Sequence, residues 1–293
     1  MQAGFIGLGA MGQNMARNLH RAGLLAGAWN RSPSKATALA AETGCRAFAS
    51  PAELAAACPI VVVCVSADED LLAVVDSLRP TLHQDAIVVD CSTVAAATAR
   101  EASARLASVG SSLLDCPVSG GVEGAKHGTL AIMCGGTPAV FERARPVLEA
   151  LGKTIVLMGP SGAGQATKAT NQILCAGVIQ AVSEAMAFAR AEGLPLEQVI
   201  EILGKGAGSS WYFVHRAPFM ARGEFPAGFR VRLHDKDLRI CRDMAARHGA
   251  ILPVVEATLA DYARLLASGH GEEDISTIFR LKTPLFSGTP SHA

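Results

Sequence analysis

Neither sign of charge is in excess. Lysine plus arginine number 26, aspartate plus glutamate also 26, and no basic block interrupts the chain. Nucleic-acid surfaces draw on clustered positive charge, so a nucleic-acid partner is not expected. No unbroken apolar run reaches the roughly 20 residues of a membrane helix. Met1 leads almost directly into an apolar strand, without the basic, apolar and small-residue order of a signal segment. A membrane partner is therefore not expected either. CxxC pairs and HExxH are missing, and the eight cysteines (Cys45, Cys58, Cys64, Cys91, Cys116, Cys134, Cys175, Cys241) are scattered, mostly in apolar runs. Neither a metal centre nor a disulfide framework is indicated. Reduced, buried thiols point to a cytoplasmic protein. Aromatic residues are scarce at 5%, while Ala, Val, Leu and Gly are plentiful, a mix that suits close packing of helices on a sheet.

With 50% hydrophobic and 18% charged residues, the chain is not disordered. Its 293 residues suffice for a large core in one or two domains. Up to about residue 158 the pattern alternates. Strands are expected at 3–8, 25–29, 60–65, 86–90, 112–115, 130–134 and 154–158, and helices at 11–22, 33–42, 51–57, 69–77, 94–107 and 138–150. Several helices open with proline near the first position, where its missing N–H costs nothing. Such alternation implies crossover units and a mostly parallel sheet. The run IVVVCV (60–65) is apolar on both faces, as a strand covered on both sides should be.

After residue 160 strands are no longer expected. Residues 162–192 read as one helix of roughly 45 Å. Its Ile173, Leu174, Val178, Ile179, Val182, Met186 and Phe188 cover more than one face, so burial on several sides is expected. Further helices are expected at 195–204, 210–221, 233–248, 253–267 and 273–280, and the tail SGTPSHA is expected to fray. The fold class is thus α/β: a doubly wound Rossmann-type domain over 1–160, and an all-helical domain over 161–293 led by the long helix.

GFIGLGAMG (4–12) contains Gly7-x-Gly9-x-x-Gly12 between a strand and a helix. In a dinucleotide site Gly7 makes the tight turn, Gly9 admits a pyrophosphate to the backbone, and Gly12 lets helix and strand pack closely. Leu8, Ala10 and Met11 complete the loop, and the helix N-terminus offers N–H groups to phosphate. A glycine-rich turn without ligand is the alternative. At the end of the second strand, AWNRSPSKA puts Asn30 where an NAD site usually has an acid, followed by Arg31, Ser32 and Lys35. An acid would repel a 2′-phosphate, whereas guanidinium grips it. NADP(H) is the expected cofactor; if Arg31 is only a surface residue, NAD(H) would serve. Two further strand ends, Val65-Ser66 and Ser92-Thr93, should reach the cofactor, although Thr93 could equally cap the following helix.

DCPVSGGVEGAKHGTL (115–130) is a second glycine-rich stretch. Consecutive N–H groups at Ser119, Gly120 and Gly121, with one hydroxyl, would form a nest for a carboxylate; a plain connecting loop is the alternative. In GAGQATKATNQIL (162–174), Lys168 shares a helix side with Asn171 and Gln172. A partly desolvated lysine can exchange protons near neutral pH; a lysine snorkelling to solvent is the commoner case. Lys236-Asp237 falls on the helix expected over 233–248, and Trp211, Tyr212 and Phe213 suggest core or subunit contact.

Taken in order, GFIGLGAMGQNMARNL, DCPVSGGVEGAKHGTL, GAGQATKATNQ and FRVRLHDKDL resemble the β-hydroxyacid dehydrogenase family over essentially the whole chain. That family includes 3-hydroxyisobutyrate dehydrogenase, tartronate semialdehyde reductase and glyoxylate/succinic semialdehyde reductase. The resemblance implies Lys168 as general acid/base, Ser119, Gly120 and Gly121 as the substrate-carboxylate loop, and Asn171 and Gln172 as the amide pair at the substrate. It further implies Lys236 and Thr93 as cofactor contacts, Asn-Arg at the second strand as an NADPH signature, and a homodimer or homotetramer formed through the helical domain. Many members carry two asparagines after the lysine; this chain has Asn171-Gln172, as the tartronate semialdehyde reductase branch does. The implied activity is reversible hydride transfer between NADP(H) and a small carboxylated carbonyl or hydroxy substrate. Rivals are an imine reductase on the same fold, whose members generally replace the lysine, and a cofactor-binding scaffold without turnover.

Overall fold

Alternation of apolar runs with proline-started helices builds the first part of the chain, in a computed structural model that describes residues 2–286. In order come β1 (Ala3–Ile6), α1 (Gly12–Arg21), β2 (Leu25–Trp29), α2 (Pro33–Thr43), β3 (Arg46–Ala47), α3 (Pro51–Ala57), β4 (Ile60–Val63) and α4 (Asp68–Leu78). Then follow β5 (Ile87–Asp90), α5 (Ala96–Ala107), β6 (Ser112–Asp115), β7 (Val118–Ser119), α6 (Gly121–His127), β8 (Leu130–Gly135), α7 (Pro138–Leu151) and β9 (Gly152–Gly159). Local chemistry sets the boundaries. In SPAE, the Ser50 hydroxyl accepts from Glu53 N and the Glu53 carboxylate accepts from Ala49 N, a reciprocal cap at the start of α3. Such a cap contributes about 1 kcal/mol.

The strands form one sheet in the order β3-β2-β1-β4-β5-β6-β8-β7, with β9 paired to β8. Strands β1 to β6 are parallel; β8 runs antiparallel to β6 and β7, and parallel to β9. All four residues of β4 are buried, because β1 and β5 flank it and helices cover both faces. Two apolar clusters fill the faces: one around Phe5, Met15, Val62 and Leu148, the other around Ile6, Leu54, Val61 and Leu106. The chain order reverses direction between β1 and β4, and ligands of such sheets bind outside the carboxyl ends at that point.

The chain divides into two units, Met1–Lys168 and Ala169–Ala293. The long helix α8 (Ala163–Ala191) contains the division, and the sequence boundary of 160–161 lies just ahead of its start. The second unit contains, among the described residues, α9 (Leu196–Leu203), α10 (Trp211–Arg222), α11 (Val231–Ala246), α12 (Pro253–Ala267), a 3-10 turn at Ile275–Ile278 and α13 (Phe279–Lys282). Its core joins Ile179, Val182 and Met186 of α8 to Phe213, Leu238 and Tyr262. By length and composition α8 could cross a membrane, yet Ala176, Ile179, Met186 and Ala187 are buried inside this core.

Several expectations need correction. The strand expected over 3–8 ends at Ile6, because Gly7 (φ +96°) turns the chain. The helix expected from 94 begins at Ala96 with Ala95 as its cap, so Thr93 does not cap it. The helix expected over 273–280 is a 3-10 turn followed by α13, started by Asp274 accepting from Ser276 N. The two-residue strands β3 and β7 and the helix α6 were not anticipated. Within α8, Ile179, Val182 and Met186 are buried while Leu174 and Phe188 are exposed. The SGTPSHA tail lies outside the described residues.

Candidate active site

The turn from β1 to α1 uses its three glycines differently. A Cβ on Gly7 would strike the Cys64 carbonyl at the end of β4, and one on Gly12 would strike the Gly7 carbonyl. The protein's own packing therefore demands both. Gly9 differs: a Cβ there meets nothing within 4 Å. The protein leaves space above Gly9, as a site for a dinucleotide's phosphates requires. Asn30 follows the end of β2. Its Oδ1 accepts from Leu8 N at 2.7 Å and its Nδ2 donates to the Ser32 carbonyl at 3.1 Å, so it ties the glycine loop to the end of β2. Ala10, Ser32 and Lys35 are exposed, Met11 is half-buried. Arg31 is also exposed and pairs with Asp70 of α4 at 3.1 Å.

Along the carboxyl edge of the sheet, the next two loops are tied together. Val65 N donates to the Ser92 hydroxyl at 2.9 Å, and Ser92 N donates to Asp90 Oδ1 at 3.0 Å. From the first turn of α8, the Gln165 amide spans Thr93: it donates to the Ser92 carbonyl (2.8 Å) and accepts from Val94 N (3.2 Å). Ser66 is exposed at the rim and Thr93 half-buried. The glycine turn and the loops after β4 and β5 thus belong to one edge.

Lys168 is 8% exposed. Its Nζ donates to the Val118 carbonyl at 2.8 Å, so the amine is held one residue before Ser119. A lysine snorkelling to solvent would not be buried in this way. Ser119 ends β7, and Gly120 (φ +125°) and Gly121 (φ +61°) both take left-handed-side conformations that other residues avoid. The first bond inside α6 runs from Gly124 N to the Gly120 carbonyl. The N–H groups of Gly121, Val122 and Glu123 precede that ladder. The buried amine and the glycine turn come together within the first unit.

The remaining sequence candidates form a second cluster in the second unit. Asn171 Nδ2 donates to Gln172 Oε1 (2.8 Å), Gln172 Nε2 donates to Asp237 Oδ2 (2.7 Å), and Lys236 Nζ pairs with Asp237 Oδ1 (2.9 Å). Gln172 is buried with both ends of its amide engaged, while Asn171 and Lys236 are half-buried. His234 braces the cluster: its Nε2 meets the Gln172 carbonyl at 3.2 Å and its Nδ1 meets the Tyr262 hydroxyl at 2.9 Å. A carbonyl only accepts, so Nε2 is the donor in the contact with Gln172. Of the aromatic run, Phe213 is buried in the core, Tyr212 packs against it, and Trp211 is exposed and stacked on His215.

Sequence reasoning missed Asp115 and Gln165. Asp115 ends β6 fully buried; its carboxylate accepts from Gly162 N (2.7 Å) and Gln165 N (3.0 Å) at the start of α8. Burial pushes its pKa above the ordinary carboxylate value, against the opposing pull of these backbone donors. An acid ending an apolar strand before a glycine-rich stretch was the available signal. Burial pushes the thiols of Cys91 and Cys116 well above their usual pKa. Among the described residues no cluster of metal-ligating side chains occurs.

Residues 2–159 match the family described as the NAD binding domain of 6-phosphogluconate dehydrogenase. Residues 162–282 match the family described as NAD-binding of NADP-dependent 3-hydroxyisobutyrate dehydrogenase. An uncharacterized oxidoreductase of Shewanella frigidimarina is 39% identical over 94% of this chain and 95% of its own length. The NAD-dependent L-serine dehydrogenase of Pseudomonas aeruginosa is 34% identical over 97% of this chain and 98% of its own. Among solved structures, Mycobacterium tuberculosis 3-hydroxyisobutyrate dehydrogenase with L-serine is similar with a TM-score of 0.88 at 32% identity, covering 96% of this chain and 99% of that one.

Proposed function

Because this chain belongs to the β-hydroxyacid dehydrogenase family, we propose that it interconverts a small β-hydroxy acid and its semialdehyde with NADP(H), using Lys168 as general acid/base. The observation that carries the proposal is the buried Lys168 amine, 2.8 Å from the Val118 carbonyl and so beside the turn of Ser119, Gly120 and Gly121. Gly7, Leu8, Gly9, Ala10, Met11 and Gly12 would hold the pyrophosphate, and the loops of Val65, Ser66 and Thr93 would line its path, with Lys236 a further contact. When bound, the nicotinamide supplies or takes up the hydride.

The chain's own residues supply the rest. The Val118 carbonyl orients the amine. As ammonium, Lys168 gives its proton to the alkoxide oxygen that forms on reduction; as amine, it takes the proton back on oxidation. General acids of this kind contribute about 10²- to 10⁴-fold. The backbone N–H groups at Gly120 and Gly121 take the substrate carboxylate. Fixing that end sets where the carbonyl carbon lies, and orientation of this sort is worth on the order of 7–11 kcal/mol in favourable cases. Asn171 and Gln172 are the amides assigned to the substrate; with both ends of its amide already engaged, Gln172 acts by holding Asn171.

Arg31, exposed at the end of β2 with no acid at Asn30, supports NADP(H) over NAD(H). The assignment of 1–160 to cofactor and 161–293 to substrate and oligomer contact follows the same reading, and exposed Leu174, Phe188 and Ile202 support a homodimer or homotetramer. Eight free cysteines suit the cytoplasm.

Initial rates test the proposal. NADPH and NADH are each offered with glyoxylate, succinic semialdehyde, tartronate semialdehyde and methylmalonate semialdehyde, and NADP⁺ with L-serine. At least one carboxylated substrate is expected to turn over, faster with the phosphorylated coenzyme. Turnover of cyclic imines and of none of these acids would contradict it.

A further inference from the structure

We infer that Asp115 is a positioning residue: its buried carboxylate seats the first turn of α8 on the edge of the sheet, and thereby delivers the Lys168 amine to the glycine turn at Gly120 and Gly121. The inference rests on the reading of Lys168 as the acid/base. A helix leaves its first N–H groups without intrahelical partners, and a residue just before the helix ordinarily takes them. Here the acceptor comes from far away in sequence. Asp115 lies 47 residues before Gly162 and 50 before Gln165, and binds both N–H groups, one through each oxygen.

The surroundings are shaped to that carboxylate. A Cβ on Gly135, its partner across β6 and β8, would run into both Asp115 oxygens. A Cβ on Gly164 would collide with the carbonyls of Met133 and Asp115. Two glycines on separate elements therefore admit the backbone to the acid from either side. Neither glycine has a left-handed backbone, so close approach, not conformation, is what excludes a side chain there.

The consequence for the lysine is geometric. Asp115 and Val118 belong to one four-residue stretch, DCPV. Asp115 takes the start of α8, and Val118 takes the Lys168 amine from the same helix at 2.8 Å. The helix is thus held to this stretch at two points, its first turn and its lysine. The glycine turn begins at the next residue but one. Gln165, whose N–H is one of those Asp115 holds, also carries the amide that grips the loop around Thr93. One carboxylate therefore sets the helix that bears the acid, beside both the cofactor loop and the carboxylate turn.

Two measurements test this. Amide hydrogen exchange on the wild-type protein reads the cap without any assay: Gly162 and Gln165 N–H groups are expected to be protected, although they lie at a helix start. Exchange as fast as at an uncapped helix end would overturn the inference, whether or not Lys168 proves to be the acid. The second measurement is kinetic and uses Asp115→Asn, which keeps the shape but turns an N–H donor toward an N–H. Turnover is normalised to NADPH-binding sites, so that loss of folded protein does not count. Expected are faster exchange at Gly162 or Gln165, NADPH affinity within about twofold, and kcat per site lower by about tenfold or more with little change in substrate KM, since a small misplacement of a catalytic group is costly. A kcat per site within about twofold of wild type would overturn the positioning role. If Lys168→Ala kept its turnover, the functional reading would fail while the exchange result stood.

Discussion

Arg31 and Asp70 meet at 3.1 Å across an exposed edge of the first unit. Exposed pairs of this kind contribute at most about 1 kcal/mol, so the bridge can open at little cost when a stronger anion arrives. A 2′-phosphate is such an anion, and guanidinium bonds to charged acceptors are worth about 1.5–3 kcal/mol. Replacing Arg31 with alanine should therefore raise KM for NADPH about tenfold or more and leave KM for NADH almost unchanged. Asp70 works in the opposite sense, because its carboxylate competes with the phosphate for the same fork. Asp70→Asn should lower KM for NADPH a few-fold and again spare NADH. Steady-state kinetics with both coenzymes check the two variants together. Equal changes for NADPH and NADH would show that this corner does not read the phosphate.

At the scale of an element, the turn between β1 and α1 separates glycines that fold the chain from one that leaves room. Gly12 faces the Gly7 carbonyl with no space for a methyl group, and crowding a packed site typically costs about 1–3 kcal/mol. Gly12→Ala should lower the melting temperature by several degrees, at about 2–4 °C per kcal/mol for a unit of this size. Gly9 has open space where its Cβ would point. Gly9→Ala should melt within about 2 °C of wild type while binding NADPH about tenfold more weakly, as loss of one good polar contact would do. Differential scanning calorimetry and a coenzyme titration separate the outcomes. A destabilised Gly9→Ala with normal affinity would mean that the open space is not the coenzyme's.

Across the whole molecule, what could be read from the sequence was what local pattern encodes. The α/β alternation, the glycine turn, the helical second half and the burial of β4 follow from periods and breakers over a few residues. The family resemblance of the four motifs is borne out by the matches over both halves of the chain. Other features depend on residues far apart in sequence. Asp115 looks like any strand-ending acid until Gly162 and Gln165 fold against it. Asn30 read as a missing acid, whereas its amide fastens the glycine loop through Leu8 N. α6 hides in GVEGAKH because its glycines read as loop, and β3 and β7 are two residues long, too short for a period. Lys168 was the residue whose context mattered most: on the sequence it could be a solvated lysine, and folding buries it against the Val118 carbonyl. The central claim is that this amine moves the proton, and the turnover of Lys168→Ala at saturating NADPH tests it most directly. With coenzyme affinity kept, kcat should fall at least about 100-fold; a kcat close to that of the wild type would contradict the account.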